Sequence, residues 1–422
     1  MIHWHLATHS KPLPVEADPA AVARIVAQAA STPVVRECLQ WFVRERQWIN
    51  EQHLLLCRIP APTFFEQRRA EWMCAQFRDL GWDARIDRAG NVVATEADTD
   101  GPYIAITAHL DTVLAPRSNE EVSVGPDGRM LGPGSSDNGA GLAALLAIAR
   151  AIRSCPIADR GLPLLLIANV GEEGEGNLSG MRYLCRQSPL GGRINAFIVL
   201  DGPNTDHITS QALASRRFDV TITGPGGHSW SDYGVANPVH ALSRAIALFT
   251  ETRLKPSPRS SYNFGILEGG CSINSIPSHA RAKVDMRSES SSKLEEMSGL
   301  LTSCVERAIE VENDGSSGRK VTAKIREIGS RPAGRLADDA SILQVIRAVD
   351  AQLGIRSRLD CASTDANVPL SMNLPAISIG AGGQGGGAHT AQEWFHPEGR
   401  ELGLRRILLT AYVLLYREFA MG

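Results

Sequence analysis

Apolar runs of the kind that form buried strands alternate with helical patterns between residues 103 and 201. In chain order, strand, helix, strand, helix and strand patterns occupy residues 103–108, 139–153, 163–170, 177–187 and 195–201. Parallel strands need long crossover connections, and the helices of those crossovers cover both faces of the sheet. The alternation therefore predicts an α/β domain with a mostly parallel sheet and helices on both faces.

A different pattern separates this region from a second stretch of strand and helix patterns after residue 329. Residues 214–328 contain strand patterns of alternating hydrophobicity together with two helical patterns. This combination predicts a small α+β sandwich with one solvated sheet face. A chain of 422 residues is too long for one ordinary core. We therefore expect one domain made of residues 1–213 and 329–422, and an inserted domain made of residues 214–328.

The bulk composition gives no indication of nucleic acid or a membrane as a partner. The formal net charge is −3, and no apolar run approaches the roughly 18 residues needed to span a bilayer. The N-terminus lacks a basic region followed by an apolar stretch, so the sequence indicates no secretory signal. The eight cysteines are scattered without metal-site spacing, which is typical of buried, reduced thiols. We expect a cytoplasmic protein.

Local patterns before the first parallel strand predict helices and a hairpin. Residues 20–57 carry helical periodicity. Thr63 and Glu66, three residues apart, have the spacing of a capping box that opens the next helix. Residues 83–95 predict a short hairpin whose link contains Gly90, as a three-residue hairpin loop requires.

Ionisable side chains stand where the strands of the predicted sheet end. His109 and Asp111 follow the first parallel strand, Glu172 and Glu173 follow the second, and Asp201 follows the third. Ligands of open α/β sheets bind outside the carboxyl ends of the strands. We therefore expect these side chains to converge, although each of them alone would be uninformative.

The residue types in this set are those of a metal centre. Two imidazoles and three carboxylates suit zinc or a similar divalent ion, and the candidate ligands are His109, Asp137, Glu173, Asp201 and His389. Two ions about 3.5–4 Å apart need a shared carboxylate, which Asp137, just before a helix, can supply. His109 and His389 would then give one nitrogen to each ion.

Two further carboxylates have candidate roles beside the ligands. Glu172 neighbours the ligand Glu173 and can take a proton from a metal-bound water. Asp111, two residues past His109, can orient that imidazole as an outer carboxylate.

These segments resemble the dizinc peptidases and deacylases, a family that includes peptidase T, glutamate carboxypeptidase, acetylornithine deacetylase and succinyl-diaminopimelate desuccinylase. The resemblance runs from about Ile59 to the C-terminus, and its motifs in chain order are His109–Val113, Gly134–Asp137, Gly171–Gly174, Asp201 and Gly387–Thr390. It implies two zinc ions per subunit, with cobalt or manganese also compatible with the ligands.

The resemblance also assigns each ligand to an ion. His109 and Asp201 would hold one ion, Glu173 and His389 the other, and Asp137 would bridge them. Glu172 would be the general base. Residues 1–58 lie outside the family core, and we assign them no role.

The inserted domain contributes further residues under this resemblance. His228, in Gly226–Ser229, resembles the histidine that reaches the active site of a partner subunit and stabilises the oxyanion there, which implies a homodimer formed through this domain. Asn274 also matches the family pattern. Arg287 could grip a substrate carboxylate or form a structural ion pair. The glycine run at residues 382–387 could bind a carboxylate or simply require positive φ.

The chain departs from the family pattern at one metal ligand and at one position close to another. Many relatives carry a lysine two residues after the bridging aspartate, where this chain has Gly139. Position 201 is Asp, whereas the deacylases and glutamate carboxypeptidases usually have Glu. Ser363–Asn367 also resembles the peptidase T side of the family.

We therefore expect a metallohydrolase that cleaves an amide bond of a short peptide. A metal-bridging hydroxide would attack the carbonyl, with Glu172 as general base and His228 of the partner subunit stabilising the oxyanion. One alternative is hydrolysis of N-acyl or N-carbamoyl amino acids at the same site. Another is a metal-dependent binding protein without activity, although pure binding needs no general base such as Glu172.

Overall fold

The chain folds into two compact units. The computed structural model describes residues 18–96, 102–154, 162–253 and 257–415. One unit, the main unit, combines the chain up to Ala212 with the chain from Gly334 onward, and the other, the inserted unit, is Leu213–Ala333.

Helices dominate residues 18–79 and then alternate with strands. The α-helices are α1 Pro19–Ser31, α2 Pro33–Arg44, α3 Arg46–Cys57, α4 Gln67–Asp79, α5 Gly139–Ser154, α6 Ser179–Arg186, α7 Pro238–Glu251, α8 Ser291–Asp314, α9 Ser341–Leu353, α10 Asn367–Ser371 and α11 Arg400–Leu415. The periodic segment of residues 20–57 is divided at Pro33, whose ring fixes φ at the start of α2 and removes a backbone donor. Measured by length and hydropathy, no helix in the described ranges could cross a membrane.

The strands form sheets in both units. They are β1 Asp83–Ile86, β2 Val92–Thr95, β3 Tyr103–His109, β4 Ser123–Val124, β5 Met130–Leu131, β6 Leu164–Asn169, β7 Ile194–Leu200, β8 His207–Ala212, β9 Ala214–Thr223, β10 Gly227–His228, β11 Ser260–Gly269, β12 Ser275–Ile276, β13 His279–Ser288, β14 Thr322–Arg331, β15 Gly334–Arg335, β16 Arg358–Ala362, β17 Ala376–Ile379, β18 Gln384–Gly386 and β19 Trp394–His396.

The main unit is built on a sheet in the order β1-β2-β6-β3-β7-β17-β8-β15, with β16 beside β8. Its centre is parallel, since β3 pairs in parallel with β6 and β7, and β7 with β17. Antiparallel strands flank this centre. Every residue of β3 and β6 is buried, so both faces are covered. The predicted α/β class with a mostly parallel sheet is confirmed.

This strand order brings three chain segments to one edge of the sheet. Because β3 lies between β6 and β7 and all three run in the same direction, their carboxyl ends are neighbours. His109 ends β3, Glu172 and Glu173 follow β6, and Asp201 follows β7. The topology therefore gathers the polar groups that the sequence places at strand ends.

The inserted unit is an antiparallel sheet packed against two helices. The strand order is β11-β13-β9-β14, and α7 and α8 pack on it and on each other. Buried and partly buried residues alternate along β13, as expected when one sheet face carries the core. This unit has a hydrophobic core of its own.

The predicted capping box is wrong. Helix α4 begins at Gln67, and Glu66, the residue before it, makes no side-chain capping bond. The Thr63 hydroxyl and the Glu66 carboxylate instead bond to Asp111 and to the Gly171 N–H. Both side chains have the spacing of a capping box, but they bond to residues that are distant in the sequence.

Candidate metal centre

His109 lies at the end of β3, and both of its ring nitrogens contact oxygen atoms. Nδ1 is 2.9 Å from the main-chain oxygen of Asp111, and Nε2 is 3.0 Å from Oδ1 of Asp137. A carbonyl oxygen can only accept, so Nδ1 carries a proton. In a neutral ring Nε2 then presents a lone pair to a carboxylate oxygen, a contact that needs a second proton or a metal ion. Burial opposes the charge, but Asp111 and Asp137 raise the pKa of His109 well above its usual value.

Asp137 faces both predicted imidazole ligands. Its Oδ1 lies 3.0 Å from His109 Nε2, and its Oδ2 lies 3.1 Å from His389 Nε2. Burial alone would raise the pKa of this carboxyl, but the two imidazoles outweigh it and hold the pKa well below its usual range. A carboxylate with one oxygen directed at each imidazole has the geometry of a bridging ligand.

His389 completes the second side of the cluster. Its Nε2 lies 2.8 Å from Oε1 of Glu173, and the side chain is 50% exposed. Hydrogen bonds to Asp137 and Glu173 raise the pKa of His389 to about 10. The residue adopts a left-handed φ of 65°, a conformation that non-glycine residues rarely hold outside functional or tightly constrained sites.

All five predicted ligands come together in two groups that share one member. His109, Asp137 and Asp201 form the first group, and Asp137, Glu173 and His389 form the second, with one ligand atom of each residue within 4.8 Å of the others. Burial and the charge of Asp137 raise the pKa of Asp201 to about 7. A divalent cation would relieve this crowding of carboxylates, and nitrogen and carboxylate oxygen donors suit zinc, cobalt and manganese. The donor set therefore fits a pair of divalent ions.

Glu172 is adjacent to these groups. It forms a third cluster with His109 and Glu173 within the same 4.8 Å limit, and its side chain is buried. A buried carboxylate beside the ligands is positioned to exchange a proton with a water molecule in the centre.

Asp111 acts mainly on the loop that carries the two glutamates. Its carboxylate accepts the N–H of Glu172 at 3.0 Å and that of Glu173 at 2.9 Å. The Thr63 hydroxyl donates to it at 3.0 Å. The carboxylate is 3.6 Å from His109 Nδ1, and the main-chain oxygen of Asp111 makes the closer contact. Asp111 thus orients His109 through its backbone and fixes the glutamate loop with its side chain.

Glu393 holds the loop of Asp137, a function that the sequence did not reveal. Its buried carboxylate accepts the N–H groups of Gly134, Ser136 and Asp137, each at 2.8 Å, and the Ser136 hydroxyl at 2.9 Å. Burial raises the pKa of Glu393. The sequence feature that could have indicated Glu393 is its position as an isolated acidic residue directly before the strand-forming pair Trp394–Phe395.

Two of the predicted residues of the inserted unit lie together and the third does not. His228 pairs with Ser275 across β10 and β12, and the Ser229 N–H donates to the Asn274 carbonyl at 3.0 Å. Arg287 lies on β13, eight residues beyond His279, where that strand begins, or roughly 27 Å along the strand. Its Nε donates to Asp285 at 2.8 Å, the ion pair that was the alternative for this residue.

The glycine run at residues 382–387 combines positive φ with close backbone contacts. Gly382, Gly383 and Gly387 have φ of 93°, 92° and 68°. A Cβ atom on Gly382 would lie 2.4 Å from the main-chain oxygen of Arg400. Backbone conformation and space therefore account for these glycines.

Comparison with known proteins identifies a family pattern over most of the chain. The model of peptidase family M20/M25/M40 matches residues 105–412. A probable carboxypeptidase of Uncinocarpus reesii is 29% identical over 222 residues, which cover 47% of this chain and 48% of that protein. The chain thus aligns with about half the length of this relative.

Two other similar proteins are named as a desuccinylase and an aminopeptidase rather than as a carboxypeptidase. A succinyl-diaminopimelate desuccinylase of Methylorubrum extorquens is 23% identical over 303 residues, covering 68% of this chain and 76% of that protein. The solved structure of aminopeptidase PepT from Bacillus cereus superposes with a TM-score of 0.68 at 21% identity, covering 87% of this chain and 98% of that one. The latter likeness shows a shared fold.

Proposed function

Because the chain belongs to peptidase family M20/M25/M40, we propose that it is a metal-dependent hydrolase that cleaves the amide bond of a short peptide. The observation that carries this proposal is the pair of ligand groups sharing Asp137, with Glu172 beside them. A binding protein would need the ligands but not a buried carboxylate in addition.

The proposed ligands divide between two ions. His109 and Asp201 would hold one, Glu173 and His389 the other, and Asp137 both. When bound, such ions supply Lewis-acid polarisation of a carbonyl and lower the pKa of water. Zinc is the proposed metal, and cobalt or manganese would suit the same donors.

Glu172 is the proposed general base and acid. Its carboxylate would accept the proton of the attacking water and then pass it to the leaving amine. The Asp111 carboxylate, by accepting the N–H groups of Glu172 and Glu173, would keep the base and the neighbouring ligand in a fixed relation. Positioning of this kind lowers the entropic cost of reaching the transition state.

The proposal includes a homodimer in which His228 acts on the substrate of the partner subunit. His228 is exposed, and its Nδ1 lies 3.2 Å from the N–H of Trp230 as an acceptor. The ring proton is therefore on Nε2, which can donate to an oxyanion. Since Arg287 lies at the far end of β13, one small substrate that uses both residues would take them from different subunits. Arg287 would bind a substrate carboxylate through its outer nitrogens.

The first test is a change of Glu172 to Gln. We expect the variant to retain its metal ions and to lose at least about 10²-fold in kcat, the lower range for general acid–base catalysis. Metal content by mass spectrometry and tripeptide hydrolysis are the two measurements. Glu175→Gln is the matched control, because it removes an exposed carboxylate from the same turn. Near-full activity in Glu172→Gln would exclude the mechanism.

The dimeric site is tested by mixing inactive subunits. His228→Ala and Glu172→Gln proteins are co-expressed so that heterodimers form. Half of the dimers then contain one site with both residues intact, so about a quarter of the wild-type activity should return. If the mixture stays as inactive as its components, His228 does not act across subunits.

A second candidate is deacylation at the same centre, favoured by the similarity to a desuccinylase over most of that protein. Cleavage of an N-acyl or N-carbamoyl amino acid would use the same ligands and the same base. Hydrolysis rates over a panel of tripeptides, N-succinyl, N-acetyl and N-carbamoyl amino acids separate the two. A higher kcat/KM for tripeptides supports the peptidase, and a higher value for any of the other classes supports the deacylase.

A further inference from the structure

A cavity of about 430 Å³ lies between the N-terminal helices and the start of α11. Its polar lining includes Arg46 and Asn50 of α3, together with His396 and Arg400. None of these residues takes part in the mechanism proposed above. The cavity also lies within the main unit, as do the metal ligands.

Arg400 is a buried cation whose partners are neutral. The residue is 5% exposed, and its Nη1 donates to Oδ1 of Asn50 at 2.7 Å while Nη2 donates to Nδ1 of His53. Its guanidinium lies 4.3 Å from the centre of the Phe395 ring. Burial lowers the pKa of Arg400 to about 9, which still leaves it charged at neutral pH.

No carboxylate in the described residues is paired with Arg400. The nearby Cys57 thiol supplies no counter-charge, because burial raises its pKa to about 12 and leaves it uncharged at neutral pH. Arg406 on the same helix shows the usual arrangement, since it forms two bonds of 2.7 Å to Asp350. A buried charge without a counter-charge is costly, so Arg400 is suited to an external anion.

Charged groups of both signs line the cavity around Arg400. Arg46, which is exposed, brings a second guanidinium, and the N-terminus of α11 at Arg400 brings the positive end of the helix dipole. Glu398 and Glu401 oppose them. The Glu398 side chain is 77% exposed and Arg46 is also exposed, so solvent screens both of these charges, while Glu401 is half-buried. Arg400, at 5% exposure, is the least screened of the four.

We propose that this cavity binds a small oxyanion, a carboxylate or a phosphate, between Arg400 and Arg46. Arg46 can form paired hydrogen bonds with such a group, and Arg400 can add the N–H bonds that are not directed at Asn50 and His53. The site gives the N-terminal helices a function that neither the metal centre nor the family resemblance assigns to them.

The cavity is connected to the metal centre by direct contacts. His53, which accepts from Arg400 through Nδ1, donates through Nε2 to the main-chain oxygen of Ser135 at 2.8 Å. The Cys57 thiol donates to the Gly134 oxygen at 3.4 Å. Gly134 and Ser135 belong to the loop that holds Asp137. An anion that fixes Arg400 would therefore restrict this loop, so we expect the site to regulate the metal centre.

Calorimetric titration of the metal-loaded protein tests the binding. Inorganic phosphate and succinate are titrated separately at constant ionic strength, which also decides between the two anion classes. We expect one of them to bind wild type at least about tenfold more tightly than Arg46→Gln, because a charge-assisted contact is lost. Arg44→Gln, which removes an exposed arginine outside the cavity, should bind like wild type.

A second variant and a second readout complete the test. Arg400→Gln should bind as weakly as Arg46→Gln, and if it does not fold, Arg46→Gln decides alone. Equal affinity in wild type and Arg46→Gln, as for an anion held only by the metals, would overturn the proposal, as would no binding at all. Bound anion should slow amide hydrogen exchange in residues 134–138, and unchanged exchange there would contradict the coupling. Neither measurement requires turnover, so failure of the proposed hydrolase function would be seen separately.

Discussion

At the scale of single residues, the candidate centre depends on carboxylates that bind backbone rather than metal. Asp111 and Glu393 each accept several N–H groups from the loop that carries the glutamates or the bridging aspartate. An ionised carboxylate makes stronger hydrogen bonds to N–H groups than a neutral acceptor does. These two residues therefore fix the loops that carry the proposed metal ligands, although neither of them is a proposed ligand itself.

Replacing Glu393 by Gln should weaken metal binding. The amide keeps the size of the side chain, but its NH₂ group faces N–H donors and cannot accept from them. Loss of such an outer partner lowers metal affinity by about 10–100-fold. Competition with a chromophoric chelator measures the change.

Glu175→Gln serves again as the control for Glu393→Gln, because it removes the same negative charge from an exposed glutamate. An unchanged metal affinity in Glu393→Gln, with the fold intact, would show that the Asp137 loop keeps its position without this carboxylate.

At the scale of elements, the prediction from sequence succeeded where strands are buried on both faces. β3, β6 and β7 are continuous apolar runs, and their order along the chain with intervening helices was enough to predict a parallel sheet. Strands such as β8, β11 and β16 have no such apolar run. Residues of β11 are mostly exposed, and β8 and β16 contain many polar residues, so their pairing depends on neighbouring strands rather than on hydrophobic pattern.

The site residues that follow buried strands were predictable from the sequence, and the others were not. His109, the glutamate pair and Asp201 follow buried strands, so general knowledge of α/β sheets indicated where they meet. Glu393 was not predictable, because it bonds to a loop 256 residues earlier in the chain and no local pattern records that contact. The spacing of Thr63 and Glu66 is misleading for the same reason, since their partners are Asp111 and Gly171 beside the site and not the start of α4.

The ion pairs of Asp219 on β9 should make the stability of the inserted unit depend on pH in the acid range. It pairs with Arg281 at 2.8 Å and Arg326 at 3.0 Å across the two neighbouring strands, and the hydrogen bond from Arg281 helps to hold its pKa well below the usual value. A lowered folded-state pKa stabilises the fold above the unfolded pKa of about 3.9, and this stabilisation is lost as pH falls further. Asp219→Asn should therefore lower the unfolding midpoint at pH 7 and flatten its decline below about pH 4.

Glu268→Gln is the matched control for Asp219→Asn. Glu268 also pairs with Arg281, but at 3.5 Å and with 56% of its side chain exposed, so its removal should have little effect. Circular dichroism melts between pH 3 and pH 7 measure both variants. If the two variants melt alike across this range, the three-strand network contributes nothing special to stability.

At the scale of the whole molecule, the two units have separate hydrophobic cores. One core contains residues of the main unit and the other residues of the inserted unit. The proposed metal ligands all belong to the main unit. Binding to the folded state alone stabilises by mass action, so metal should stabilise the unit that holds the ligands.

Chelation should therefore destabilise the two units unequally. A metal present at about 100 times its Kd contributes about 2.7 kcal/mol to the unfolding free energy of the unit that binds it. In differential scanning calorimetry, EDTA should lower the transition of the main unit and leave that of the inserted unit in place. Asp219→Asn identifies the second transition, because it should shift that one alone. A scan in which EDTA lowers the transition marked by Asp219→Asn just as far would show that the units unfold together and that the separate cores do not confer separate stability.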